Sequence, residues 1–339
     1  MRTEIDGLRA WRHDLAGCLH ACAATLLRHE GVQPLHALGA GWTFYYPPGD
    51  CRPEEYYFPC RPGISLLTSI APYYPVRSTW HQTDDPDRGW AEVRERVAGG
   101  TPVAVAVDNF HLPFRPAYQD VHANHLIIVS GFDDEAGTVR VLDAVPPLFD
   151  GDITLDRLVA ARNSGNESNH DRDMFFADAP IRNRWLEVTV SPVRHPELDR
   201  AGVRRVVRRN LDGYGTPDDE DDYQGLSGLA HFLRDQETGL MRGRDIADEL
   251  FVVAGAVLAS TALHADWLSA AGRTLQLPVL LELGRSVDRI AHHWTAVRIL
   301  AALSRKGEVS ALRLRRRNDV LLGDLDLALA RAASVLPEL

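Results

Sequence analysis

Three kinds of side chain in the first half of the sequence, cysteine, histidine and aspartate, have the types needed for nucleophilic chemistry. The stretch GCLHACAATLLRHEG, Gly17 to Gly31, holds Cys18 and Cys22, two of the four cysteines in the chain. A thiol becomes a nucleophile when a base takes its proton and a third group holds that base in place. Far downstream, VHANHLIIVSGFDDEAGTVRVLDA contains His125 and Asp143, a base and an orienter by type. The other two cysteines, Cys51 and Cys60, and the first pair lack the CxxC spacing of a structural zinc site, so no metal is expected. In a reducing compartment Cys51 and Cys60 are expected to be loop thiols rather than a disulfide.

Helical phase separates the first two cysteines. Leu19, Cys22, Ala23 and Leu26 fall on one apolar stripe, which makes Cys22 a packed core thiol. Cys18 falls at the helix N-terminus, after Gly17, which leaves room for a substrate. There the unpaired N–H groups and the positive end of the dipole favour a thiolate. Taken alone, the segment leaves Cys18 open between nucleophile and second buried thiol. Downstream, two apolar strands joined by a Gly-containing turn near Glu135 form an antiparallel hairpin. His125 opens the first and Asp143 closes the second, so pairing across the turn makes them neighbours. By alternation His125, Ile127 and Val129 share a face, as do Val139, Val141 and Asp143. Such a pair serves equally as a structural hydrogen bond at a strand end.

The elements that carry these residues fall into two parts. Helices are expected at Cys18 to His29, Trp90 to Ala98 and Thr154 to Asn163, the last capped by its threonine. Strands are expected at Thr101 to Asp108, His125 to Asp133, Thr138 to Ala144 and Trp185 to Val190. Tyr45 to Pro75 reads as a surface excursion rich in Pro, Tyr and Gly. After Pro192 the pattern is helical, with helices expected at Pro196–Arg209, Gly225–Asp235, Asp245–Ala271, Val279–Arg305 and Val309–Leu336. The acidic run between the first two lacks the alternating ligands of an EF-hand and reads as a solvated linker. The expected domains are therefore 1–192, α+β, and 193–339, an all-α helical bundle.

Composition narrows the function classes. The chain has 339 residues, 45% of them hydrophobic and 25% charged, with a formal net charge of −10. That charge argues against nonspecific nucleic-acid binding. The N-terminal residues carry charges throughout and do not read as a signal peptide. The longest apolar run, Leu250 to Leu263, is short for a bilayer, so no membrane association and a cytoplasmic location are expected. Lys306 is the sole lysine, which leaves little scope for lysine chemistry.

An ordered set of segments resembles the butirosin biosynthesis protein H family. Cys18 followed by ATLLRHEG to Gly31 is similar to the family's nucleophile helix. LGAGWTFYY (Leu38 to Tyr46) resembles its Gly-x-Gly-x-x-Phe-x-Tyr segment. VDNFHLPF and HANHLIIVSGFDDE resemble its Asp…Leu-Pro…His-x-x-His signature, and VLDAVPP with the helix ending AARN its final aspartate and following helix. The resemblance covers roughly residues 10 to 165, and the later helices look like the helical region that often follows.

The resemblance implies a papain-like, cysteine-peptidase-like domain with an antiparallel sheet and a nucleophile helix. It implies Cys18 as nucleophile, His125 as general base and acid, and Asp143 as orienter. His122 is the runner-up base, read as facing substrate or supporting the site; Asp108 either caps the loop after its strand or lines the site. Papain-like enzymes place a glutamine before the cysteine, but residues 1–17 contain neither Gln nor Asn. The backbone N–H of Cys18 would supply one oxyanion donor, and His13 or Arg12 another.

The implied reaction is acyl transfer from a carrier-protein thioester, through acyl-Cys18, to an amine acceptor in antibiotic biosynthesis. No cofactor is expected to be bound; the donor is the phosphopantetheine of an acyl or peptidyl carrier protein. That partner is acidic, so the arginine runs Arg204 to Arg209 and Arg313 to Arg317 are candidate docks, each also readable as a solvated helix face. The acceptor is a small-molecule amine. Alternatives are a cysteine peptidase or amidase using the same residues with water as acceptor, and a non-catalytic binding protein. Apolar faces of the helical domain would suit a homodimer.

Overall fold

The computed structural model describes residues 1–49, 55, 58–61, 63–168, 179–191, 198–219 and 221–339. In chain order its elements are β1 (Arg2–Glu4), α1 (Cys18–His29), α2 (Pro34–Leu38), β2 (Tyr45–Tyr46), α3 (Leu66–Ile70), β3 (Val76–His81) and α4 (Pro86–Ala98). Then come β4 (Val103–Asp108), β5 (Asn124–Asp133), β6 (Thr138–Asp143), β7 (Phe149–Thr154), α5 (Leu155–Arg162) and β8 (Trp185–Val190). The chain closes with α6 (Arg200–Tyr214), β9 (Tyr223–Gln224), α7 (Gly225–Met241), α8 (Ala247–Leu275), α9 (Pro278–Ser304) and α10 (Ala311–Val335). These form two compact units, one of residues 1–34 and 76–191, the other of residues 35–75 and 192–339.

The first unit is an antiparallel sheet with helices packed on it, ordered β3-β8-β4-β5-β6-β7. The β5 strand is buried over almost its whole length because it is paired on both sides. β4 covers Asn124 to Val129, and β1 takes over beside Gly131 to Asp133. Val129 pairs with Val141, so Ile127, Val129 and Val141 share a face; a register shift between Val129 and Gly131 then brings Phe132 opposite Val139. The bulge thus flips the parity of the strand and keeps Phe132 in the same core. Val93 and Val97 of α4 and Leu158 and Ala161 of α5 close that core. Buried Arg162 ties the two helices to the loop before β8, donating to the carbonyls of Gly89 (3.0 Å) and Asn183 (2.8 Å). α1 lies against β5, β4 and β8.

The second unit is helical, as expected, but it also takes in residues 35–75, which the sequence assigned to the first domain. The reason is pairing distant in sequence. Tyr45 and Tyr46 of β2 pair with Gln224 and Tyr223 of β9. Asn210 of α6 receives the Trp42 N–H (3.0 Å) and donates to the Ala40 carbonyl (3.0 Å). Tyr46, Leu66, Leu67, Ile70 and Tyr74 are buried, so the described residues of the Tyr45–Pro75 stretch include packed core rather than only a surface excursion. The acidic run is likewise not a simple solvated linker. Asp222 binds Tyr45 (2.8 Å) and Arg61 (2.9 Å), and Asp218 binds His231 (2.8 Å). Cys60 is buried, and Cys51 lies outside the described residues.

α8 and α9 form the central hairpin of this unit. Gln276 ends α8 in the left-handed conformation at φ 55°, and Pro278 starts α9. Gly272 and Gly284 let the helices approach: a Cβ at Gly272 would meet Leu281 Cδ2 at 2.8 Å, and one at Gly284 would meet Ser269 Oγ at 2.8 Å. α8 is longer than its apolar run and passes the length and composition test for a membrane span, yet 78% of its apolar window is buried within the protein.

Candidate active site

Cys18 is the first residue of α1. Gly17 precedes it in an extended conformation (φ −82°, ψ −178°) and provides no side-chain cap. The N–H groups of the first turn therefore have no intrahelical acceptor and point at the space beyond the helix end. A Cβ on Gly17 would meet nothing within 4 Å, so the space beside Gly17 is open, while Cys18 itself is 5% exposed. Cys22, one turn on, is 3% exposed, and its thiol is pushed well above the ordinary range, first by burial, then by Cys18 and Asp143. It is a core thiol, as its helical phase predicts.

His125 is the second residue of β5 and Asp143 the last of β6. Hairpin pairing brings them together, with Nε2 of His125 2.7 Å from Oδ2 of Asp143. Nε2 donates to the carboxylate, and the Cys18 thiol lies near enough to the imidazole to contribute to its raised basicity. Burial by itself depresses the basicity of His125. The Asp143 charge and the bonds to Asp143 and Cys18 outweigh it, so the imidazole is pushed up to about 9. At neutral pH the imidazolium is the favoured form.

Arg115 completes the surroundings of Asp143, and sequence reasoning missed it. Its guanidinium donates to Asp143 Oδ2 at 3.1 Å and to the Val145 carbonyl at 3.0 Å. The other carboxylate oxygen receives the Val145 N–H at 2.9 Å. Asp143 is thus held on both oxygens, and the cation draws on the same oxygen that binds His125. Arg115 sits in the loop between β4 and β5, one of many arginines with no periodicity or partner spacing to mark it.

A second histidine–aspartate pair lies beside the first. His122 Nδ1 is 2.6 Å from Asp108 Oδ2, and the ring stacks on Phe110 at 4.2 Å between centroids. Asp108 also accepts from Phe110 N (3.0 Å), Ala123 N (3.2 Å) and Ser164 Oγ (2.6 Å). Its bond to Phe110 caps the turn Asn109–His111, the loop-capping alternative of its two sequence readings. His13 accepts the Leu15 N–H on Nδ1 at 3.2 Å, which places its proton on Nε2 as a donor. Arg12 instead binds Asp14 at 2.9 Å in an exposed pair. His20, unremarked in the sequence, is buried in α1; burial, with His13 adding, lowers it to about 4, so it is neutral. No group of three or more His, Cys, Asp or Glu side chains placed to hold a metal occurs among the described residues.

Residues 17–144 match the family model described as butirosin biosynthesis protein H, N-terminal. The matched segment starts one residue before Cys18 and ends one residue after Asp143, and it contains His125, His122, Asp108 and Arg115. It spans somewhat over a third of the chain. No curated protein matches the chain.

Proposed function

We propose that this protein is a thiol acyltransferase of antibiotic biosynthesis, moving an acyl group from a carrier-protein thioester through Cys18 to an amine. The observation that supports it most is the His125–Asp143 hydrogen bond at 2.7 Å beside Cys18, the first residue of a helix. The family description of residues 17–144 adds the biosynthetic setting.

In this mechanism Nδ1 of His125 already holds the proton of the Cys18–His125 pair, and the thiolate sulfur attacks the thioester carbonyl. The oxyanion that forms takes hydrogen bonds from N–H groups of the first turn of α1, with His13 Nε2–H the second candidate donor. Collapse breaks the bond to the donor sulfur, which leaves as a thiol with the proton from His125. One thioester has replaced another, so the acyl-enzyme forms without a large uphill step. The acceptor amine then attacks acyl-Cys18 while Nδ1 takes its proton; the amide forms, the C–S bond breaks, and Cys18 returns. Asp143 keeps the Nε2 proton in place and stabilises the imidazolium in both halves.

Intact-mass measurement after incubation with acyl pantetheine thioesters tests the first half. The expected product is a single acyl adduct that persists in Cys22→Ala and disappears in Cys18→Ala. No adduct with any thioester would overturn the proposal. Competition between amines and water for the adduct then separates transfer from hydrolysis, the reaction of a peptidase or amidase.

A further inference from the structure

The second unit contains a cavity of about 350 Å³ that none of the Cys18 groups lines. One wall is α6, whose Arg205, Arg208 and Arg209 are spaced to project on one side of the helix. Tyr73 and Trp267 contribute aromatic surface to the lining, and Asp212 is its acidic member. Arg209 is fixed in place, donating to the Pro72 carbonyl at 2.7 Å and lying 5.5 Å from the centre of the Tyr73 ring. Arg205 and Arg208 are exposed at the cavity and take part in no ion pair among the described residues.

The charge balance here points to a ligand. Three guanidiniums against one carboxylate leave a surplus of two positive charges around one small cavity. Like charges this close raise one another's energy, and a dianion between them relieves it. A monocarboxylate would neutralise only half of the surplus, whereas a phosphomonoester matches its charge and accepts forked hydrogen bonds. Apart from His36, which burial lowers and so keeps neutral, the remaining lining is apolar and aromatic, which suits a ring or branched hydrocarbon body, and the volume lies within the usual range for small-molecule sites. We propose that this cavity binds a phosphomonoester carried on an apolar, ring-containing body.

Isothermal titration calorimetry on the full chain with 1-naphthyl phosphate tests the proposal, with 1-naphthol, 1-naphthoate and inorganic phosphate as matched probes. The expected result is one-to-one binding of the naphthyl phosphate, at least about tenfold tighter than any of the other three. In Arg205→Gln/Arg208→Gln that preference falls by about tenfold or more while 1-naphthol binding is unchanged; both side chains are exposed, so the fold and its melting temperature are retained. Cys18→Ala binds the probe like the wild type. Equal affinity for naphthyl phosphate and 1-naphthol, equal affinity for naphthoate, or unchanged binding in the double variant would each overturn the proposal.

Discussion

The first unit contains two histidine–aspartate pairs, the buried His125–Asp143 and the part-buried His122–Asp108, and their histidines are three residues apart in sequence. Pair distances are nearly the same, 2.7 Å and 2.6 Å, and both aspartates end a strand. The difference lies in what surrounds each pair. Asp108 spends its oxygens on Phe110 N, Ala123 N and Ser164 as well as on His122, and so ties a turn and two loops together. Asp143 binds Arg115 and one backbone N–H, and its histidine reaches a thiol at a helix N-terminus. A histidine–aspartate pair in a sheet is ordinary structure; under the proposed function, the thiol of Cys18 beside His125 is what would give one of the two a chemical role.

The sharpest test of that comparison is to remove each aspartate. Asp143→Asn should slow acylation of Cys18 by about 10³- to 10⁴-fold, because the amide no longer fixes the tautomer or stabilises the imidazolium. Asp108→Asn should slow it by less than about tenfold and appear instead as a loss of about 1–3 kcal/mol in denaturant unfolding. Stopped-flow acylation with chemical denaturation reads both. Equal kinetic loss in the two variants would erase the distinction.

Among the pH effects, His125 and His20 should act in opposite directions. His125 is raised from 6.5 to about 9, so the folded state binds its proton more tightly than the unfolded state. Its stabilising contribution is complete below pH 6.5 and is lost as pH rises through about 9. His20 is lowered from 6.5 to about 4, so its contribution is present above pH 6.5 and is lost as pH falls toward 4. Unfolding free energies across pH, in the wild type, Asp143→Asn and His20→Gln, separate the two. The alkaline loss should vanish only in Asp143→Asn.

Arg115→Met should give the smallest effect and the most specific one. Removing the cation leaves Asp143 to hold the imidazolium more strongly, so the His125 midpoint moves up, on the order of one pH unit. NMR titration of the His125 ring measures it directly. A midpoint that stays put or moves down would show that the Arg115 charge does not act on His125.

Much of the first unit was legible because local periodicity governs it. The phase of Leu19, Cys22 and Leu26 placed Cys22 in the core, and the alternation in β5 and β6 placed His125 and Asp143 on neighbouring strands. The Val129–Gly131 bulge was invisible, since a one-residue register shift follows from pairing with β1 and β6 together. β1 itself is too short for a pattern. The Tyr45–Pro75 stretch misled for a similar reason: its partners, Tyr223, Asn210 and Asp222, lie more than a hundred residues downstream.

By itself, the sequence determined the start of α1, the helical phase of its cysteines, the β5–β6 hairpin and the helical character of the later chain. Each depends on side-chain spacing within one or two adjacent elements. Only the tertiary structure decided that Arg115 shares Asp143, that residues 35–75 pack with the helical unit, and that three arginines of α6 line a cavity with Tyr73. Those arrangements depend on how elements distant in sequence pack, and no local periodicity encodes that.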